Sequence, residues 1–375
     1  MSRDISIGEA LKVKNVCFID VRSEGEFAEG SIPGAINIPL FNNEERARVG
    51  TTYKQIGTEA AKSLGLEIVG PKFSGLFNQI RSLSKDQNVV LYCWRGGMRS
   101  KYASAVLESL GVRIYRVQGG YKSFRRFVYQ YLDREKIPHK SIVLHGLTGV
   151  GKTLILQKLQ QLGYPVLDLE GAAKHRGSVY GKIGLLSSPS QKDFEAQIVE
   201  NLSPAEAKGM ILLECEGRRL GKLIVPPAVL ASMERGYRVL LYAPLEVRVQ
   251  RIIDEYTKGP NRNIEELQKS TLLLKKHLGK TVTEDLIQEL SKKNFANVFA
   301  YLLTHYYDPL YKYPGGQSNE FDLSIDCSDL EKAANKIAQW VKSLPEYGVP
   351  VENGGDMNAN RGNLEECTDG EGFFS

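Results

Sequence analysis

Ser141-Ile142-Val143-Leu144-His145-Gly146-Leu147-Thr148-Gly149-Val150-Gly151-Lys152-Thr153 decides the fold of the second half of this chain. An apolar run of strand type delivers the backbone into a stretch that matches G-x-x-x-x-G-K-[ST] in full, and an amphipathic helical stretch follows. The glycines Gly146, Gly149 and Gly151 let the backbone curl so that successive N–H groups, that of Thr148 among them, point inward at an anion. Lys152 then neutralises phosphate oxygens and the Thr153 hydroxyl can hold Mg²⁺. A nucleotide and an isoprenyl diphosphate present the same phosphate geometry, so the motif leaves the ligand open.

Downstream, strands are expected near 166–169, 210–213, 238–242 and 321–325, separated by helical stretches. That alternation predicts a doubly wound parallel sheet of P-loop NTPase type. A helical insertion over about 246–307 precedes the last strand, and a final amphipathic helix runs over 330–344. Asp168 and Glu170 end one strand, and Glu214 and Glu216 follow another, where an acid can orient a metal. The same acids could instead cap helices or pair with Arg218 or Arg219. Arg248 and Arg251 stand three apart on a helix, which suits either a phosphate clamp or a solvated face.

Upstream, Lys136-Ile137-Pro138-His139 precedes the fresh strand and marks a domain boundary near residue 137. The first domain, 1–136, reads as strand (16–21), loop, strand (88–92), helix (101–110), strand (113–117) and helix (121–132), again an α/β pattern. Cys93 leaves the second of these strands and opens Cys93-Trp94-Arg95-Gly96-Gly97-Met98-Arg99-Ser100, just before a helix. Backbone N–H groups of such a loop, with Gly96, Gly97 and Ser100 in it, converge on one point, and the helix N-terminus adds partial positive charge. The field favours a thiolate, hence a nucleophile, with Arg95 and Arg99 stabilising it and gripping an incoming oxyanion. Cys17 reads as a core thiol; Cys215, between two glutamates, as a poor nucleophile; Cys327 and Cys367 have no activating neighbour.

At 375 residues, 42% apolar and 25% charged, the chain is of soluble globular type and too long for one core. Its five cysteines form no CxxC pair, which argues against a disulfide frame or a zinc site. No apolar run is long enough to span a membrane, and the N-terminus lacks a signal-peptide pattern, so a cytoplasmic location is expected. The net charge of +5 conceals an acidic tail, 346–375, at −6 and a body, 1–345, at +11. The body can attract a polyanion, whereas the tail, poor in apolar residues, is expected to be disordered.

Asp20-Val21-Arg22-Ser23, the stretch Gly30-Ser31-Ile32-Pro33-Gly34-Ala35-Ile36-Asn37-Ile38-Pro39 and the Cys93 loop together resemble the rhodanese family of sulfur-transfer domains. Five residues separate Cys93 from Arg99, one more than in the usual sulfurtransferase loop. Loops of the longer kind occur in rhodanese-like phosphatases and arsenate reductases, which accommodate a larger tetrahedral anion.

A rhodanese-like domain joined to a P-loop domain resembles the bacterial tRNA 2-selenouridine synthases. Further stretches carry the same likeness: 39–46, 49–51 with 53–55, Gly119-Gly120-Tyr121-Lys122, Asp168-Leu169-Glu170-Gly171, His175-Arg176-Gly177-Ser178 and Tyr306-Tyr307-Asp308-Pro309. The resemblance spans about Asp20 to Leu344. It implies an enzyme, a transferase, acting on tRNA with 2-thiouridine at the wobble position. The sulfur is geranylated from geranyl diphosphate, and selenium from selenophosphate then replaces the geranylthio group. It also implies that Cys93 carries selenium as a perselenide, that Lys152 and Thr153 with Mg²⁺ hold a diphosphate, and that no nucleotide cofactor is obligatory. His175 and Arg176 join the candidates for orienting substrate or metal.

On 121–132, Lys122, Arg125 and Arg126 alternate with aromatic residues and are candidates for holding tRNA. Periodicity alone favours an amphipathic helix whose aromatics are core. Two other functions use the same loops. A rhodanese-like phosphatase or arsenate reductase with a regulatory P-loop module would need Cys93 and Arg99 but no RNA. A P-loop small-molecule kinase would transfer from ATP and tolerate Cys93→Ala. Neither explains a body at +11.

Overall fold

The computed structural model describes residues 3–185, 187–202, 205–257 and 264–351. The chain divides into two compact units, the first ending at Tyr131 and the second beginning at Leu132. The division falls ahead of the expected 136/137 boundary because the linker belongs to the second unit. There Glu135 pairs with Arg235 at 2.6 Å, and the Ile137 N–H donates to Ser232 Oγ at 2.9 Å.

In the first unit β1 (Arg3–Ile5), β2 (Val16–Asp20), β3 (Ile36–Asn37), β4 (Asn88–Tyr92) and β5 (Tyr115–Val117) form one parallel sheet, in the order β1-β5-β4-β2-β3. The runs VCFID and NVVLY are apolar on both faces because helices cover both sides of such a sheet. β4 lies between β5 and β2, so its C-terminal end, where Cys93 follows, opens at the middle of the sheet.

The segment between β2 and β4, expected as loop, is largely helical: Glu24–Ala28, Asn43–Gln55, Thr58–Val69 and Phe73–Leu83. The Asn42 side chain caps the second of these, with Glu45 reaching back to the cap N–H. The helical period is faint in the sequence because these helices bury little: only Val49 and Gly50 are buried in the second helix and Ala61 in the third. β1 and β3 escape a reading of periodicity because they are three and two residues long.

The second unit is built on β6 (Lys140–His145), β7 (Val166–Leu167), β8 (Met210–Glu214), the short antiparallel pair β9 (Arg219–Leu220) and β10 (Leu223–Ile224), β11 (Tyr237–Tyr242) and β12 (Leu323–Asp326). Its main sheet is parallel, in the order β12-β11-β6-β8-β7. β6 is central, with β7 and β8 on one side of it and β11 and β12, which follow in the chain, on the other. A crevice at that switch point is where doubly wound sheets bind ligands. Helices Lys152–Gln161 and Leu330–Lys342 pack on one face through Ile155, Leu156, Leu159, Ala334, Ile337 and Val341.

The helical insertion runs from Leu245 to Tyr311 and carries its own core around Tyr256, Leu267, Leu290 and Phe299. A π-helical turn, Leu303–Tyr307, leads into Asp308. Residues 346–351, assigned above to a disordered tail, are instead tied to this unit. Tyr237 OH donates to Glu346, and the N–H groups of Gly348 and Val351 donate to the carbonyls of Lys208 and Glu206. The rest of the tail, 352–375, with Cys367, lies outside the described residues.

Candidate functional site

Cys93 is delivered by β4 and held by the segment that follows β5. The carbonyls of Cys93 and Trp94 accept from the N–H groups of Tyr121 and Lys122, so the segment after β5 is laid against the loop. That approach demands glycine. A Cβ on Gly120 (φ +57°) would lie 2.2 Å from the Cys93 carbonyl oxygen and 2.4 Å from the Gly96 nitrogen. Gly96 itself has φ +64° and faces the Val117 carbonyl. Gly97 caps the helix Met98–Ser109 without a side-chain bond, so no side chain competes with an anion for its first N–H groups.

The Cys93 thiol is buried, 3.2 Å from Ser100 Oγ. Arg99 turns its guanidinium edge to Glu26, while Arg95 is exposed. Both arginines and the thiol line a cavity of about 680 Å³ that extends between the helices Asn43–Gln55, Thr58–Val69 and Met98–Ser109.

Asp20 and Arg22 form a buried pair at 2.6 Å. Arg22 also donates to the Gly30 carbonyl and lies 4.0 Å over the Tyr121 ring. The pair therefore locks the N-terminal signature to the segment behind the cysteine loop.

In the second unit the phosphate loop has the required backbone. Gly146, Gly149 and Gly151 have φ of +141°, +82° and +93°, and a Cβ on Gly146 would lie 2.3 Å from the Leu241 carbonyl oxygen. Lys152 Nζ donates to the Gly146 carbonyl at 3.1 Å. Thr153 Oγ1 lies 3.4 Å from Glu170 Oε2 and 3.3 Å from Glu214 Oε2.

Glu170, Glu214 and Glu216 each bring a carboxylate oxygen within 4.8 Å of the others. Burial first, then mutual repulsion, pushes Glu170 up to about 9 and Glu214 up to about 8. Glu214 Oε1 is buried with no hydrogen-bond partner. Three crowded acids, an orphaned oxygen and a hydroxyl fit a hard divalent cation, which prefers oxygen ligands. Gly177 closes over this group, its Cβ direction meeting Glu170 Oε1 at 2.9 Å.

A family model described as "tRNA 2-selenouridine synthase AAA domain" matches residues 139–343, and one described as "Rhodanese-like domain" matches 7–127. The tRNA 2-selenouridine synthase of Nitrosomonas eutropha is 34% identical over 80% of this chain and 89% of its own. That of Psychromonas ingrahamii is 35% identical over 86% and 93%, and that of Nitrosomonas europaea 38% over 68% and 67%. The chain belongs to the tRNA 2-selenouridine synthase family.

Within this synthase-family chain several expected site residues do other work. Asp168 caps the helix Leu169–Ala173, accepting from the Gly171 N–H at 2.8 Å, and leaves Glu170 to the acid group. Arg248 and Arg251 are neither a free phosphate clamp nor a solvated face. Arg248 is buried, bidentate to Asp308 at 2.8 and 2.7 Å, and donates to the Thr148 carbonyl. Arg251 donates to the Val150 carbonyl at 2.7 Å and to that of Cys327. Together they hold the loop's carbonyls outward, which leaves its N–H groups for the ligand.

His175 is buried against Gly181 and Gly221, and its Nδ1 accepts from the Gly177 N–H at 3.2 Å. Arg176 pairs with Glu255 at 2.6 Å and donates to the Ile183 carbonyl. Both residues shape the loop that carries Gly177. In the helix Gly120–Leu132, Tyr121, Phe124 and Tyr131 are core, as periodicity favoured, while Lys122 and Arg126 are exposed and Arg125 is half-buried. Burial pushes the thiols of Cys17 and Cys327 up, and burial followed by Glu216 does the same to Cys215. None of the described helices is long and apolar enough to cross a membrane.

Sequence reasoning missed Glu26, and it singled out Asp308 within Tyr306-Tyr307-Asp308-Pro309 without its pairing to Arg248. Ser23-x-x-Glu26 is a legible capping box, which accounts for Glu26 without Arg99. Asp308 follows directly on the π-helical turn, whose geometry cannot be read from periodicity.

Proposed function

We propose that this protein converts 2-thiouridine at the wobble position of tRNA to 2-selenouridine in two steps. The P-loop unit geranylates the sulfur from geranyl diphosphate, and the rhodanese-like unit then exchanges the geranylthio group for selenium from selenophosphate. One observation supports this most: a thiol at the mouth of an anion loop and a phosphate loop with an acid group stand in one chain of this family.

In the first step the loop N–H groups and Lys152 hold the diphosphate as charge develops on it. Mg²⁺, held by Thr153 with Glu214 and its neighbours, would add positive charge there. No nucleotide is required by this reading. In the second step the Cys93 sulfur bonds to selenium as the selenium–phosphorus bond breaks; phosphorus keeps that electron pair and leaves as phosphite, reduced by two electrons and carrying the thiol's proton, and selenium remains on Cys93 as a perselenide. Arg95 and the loop N–H groups neutralise the donor's oxygens. The selenium attacks C2 of the base, the geranylthio group leaves as a thiolate, and an external thiol reduces the sulfur–selenium bond to free the product. Exposed cations, Lys122 and Arg126 among them, supply attraction for tRNA.

The test separates the steps with Lys152→Ala. Thiolated tRNA, geranyl diphosphate and selenophosphate are supplied, and the nucleosides are read by mass spectrometry. The variant is expected to lose geranylation and to retain selenation of pre-geranylated tRNA; equal loss of both steps contradicts the assignment.

A further inference from the structure

The cavity beside Cys93 is larger and far more apolar than selenium transfer requires. Selenophosphate is small and wholly polar, and the thiol, Arg95 and the loop N–H groups at one end suffice for it. The remaining walls are mostly carbon, from Phe41, Val49, Leu66, Phe73, Tyr102 and Val106, with Arg46, Thr58 and Lys62 between them, within a volume of about 680 Å³. That is the size and lining of a site for a mid-sized apolar ligand. Leu66 is 75% exposed and Tyr102 52%, at the same cavity, so apolar surface stays in water here until something covers it.

We infer that this cavity holds the ten-carbon geranyl chain of the tRNA intermediate, with its sulfur end at Cys93. The inference rests on the two-step reading above and adds a specificity site to it. Three observations select this occupant over a protein segment. The thiol forms part of the wall, so the occupant must end at a reacting atom. Most of the lining is aliphatic or aromatic. Cationic side chains, Lys62 and Arg95, stand at the same cavity and suit an occupant attached to a polyanion. By contrast, the cavity beside Thr148 in the second unit has about 20 Å³, room for about one water. Burying the chain also explains how a geranylthio group would be preferred over a bare thiocarbonyl, because only the former gains from leaving water.

The test titrates the full chain with S-geranyl-2-thiouridine, S-methyl-2-thiouridine and geranyl diphosphate by calorimetry, for the wild type, Leu66→Glu and Val106→Glu. Both positions are exposed, so the fold should tolerate a carboxylate, and thermal melting checks that it does. The geranyl nucleoside is expected to bind the wild type at least tenfold more tightly than the methyl one, and each substitution to erase most of that margin. Geranyl diphosphate binding that is lost in these variants but kept in Lys152→Ala would assign the same pocket to the donor's chain instead of the intermediate's. No margin in the wild type, or a margin unchanged in both variants, overturns the inference, as does a cavity found to be filled by a second copy of the chain. Selenation of pre-geranylated tRNA is measured on the same wild-type preparation. Its absence beside an intact margin would sink the reaction assignment and leave the prenyl site standing.

Discussion

Arg99 and Glu26 form a bidentate pair, Nη1 to Oε2 at 2.6 Å and Nη2 to Oε1 at 3.0 Å, at the edge of the cavity that holds the Cys93 thiol. The pair fixes a cation beside the thiol instead of leaving it to swing in solvent. Burial raises the carboxyl, but the bonds and charge of Arg99, the Ser23 N–H and Arg46 outweigh it, so Glu26 sits below the usual carboxylate range. A depressed folded pKa contributes stability that is fully present above the unfolded value, about 4.3, and is lost as pH falls through the folded one. Glu26→Gln is therefore expected to lower stability at pH 7 by about 1–3 kcal/mol and to flatten the loss between pH 4.3 and lower values. Chemical denaturation across that range measures both.

His139 is buried, with neither ring nitrogen hydrogen-bonded, and burial followed by the charge of Arg134 pushes it down to about 4. Between pH 6.5 and 4 the unfolded chain binds a proton here that the folded chain refuses, so stability falls as pH falls. The loss approaches roughly 3 kcal/mol by the lower limit. His139→Phe should reduce that slope in equilibrium unfolding, whereas a slope identical to the wild type's would show that the ring is protonated in the fold.

Arg251 grips the phosphate loop from behind, through the Val150 carbonyl. Arg251→Met keeps the stem and removes the donors. The KM for geranyl diphosphate is expected to rise about tenfold, the value of one lost charge-assisted bond, with selenation of pre-geranylated tRNA unaffected. Steady-state kinetics of the two half-reactions decide it.

Much of this was legible beforehand, and the exceptions share a cause. The phosphate loop and the cysteine loop could be read because each needs glycine at fixed positions and a strand before it. Val16–Asp20, Asn88–Tyr92 and Met210–Glu214 could be read because a parallel sheet buries both faces. The helices over 43–83 could not, because few of their side chains are fully buried, Val49, Ala61 and Ile80 among them, and most of their apolar residues are only half-buried between the core and the cavity. Nor could the work of Arg248 and Arg251, since a donor to loop carbonyls and a donor to phosphate look alike until the loop's geometry is known.

Lys122 and Arg126 are exposed on a helix whose Tyr121, Phe124 and Tyr131 are core. Under the proposed function these two cations contact tRNA phosphates, and Tyr129, exposed on the same helix, is the aromatic side chain in a position to meet a base. Replacing both by glutamate should weaken tRNA binding and reduce the salt slope by about 2, with no change in the thermal transition. Filter binding across a salt series reads the slope.

The central claim is that selenium passes through the Cys93 sulfur. Cys93→Ser, incubated with thiolated tRNA, geranyl diphosphate and selenophosphate, is expected to accumulate S-geranyl-2-thiouridine and to form no 2-selenouridine. Selenium incorporation by that variant at the wild-type rate would contradict the account.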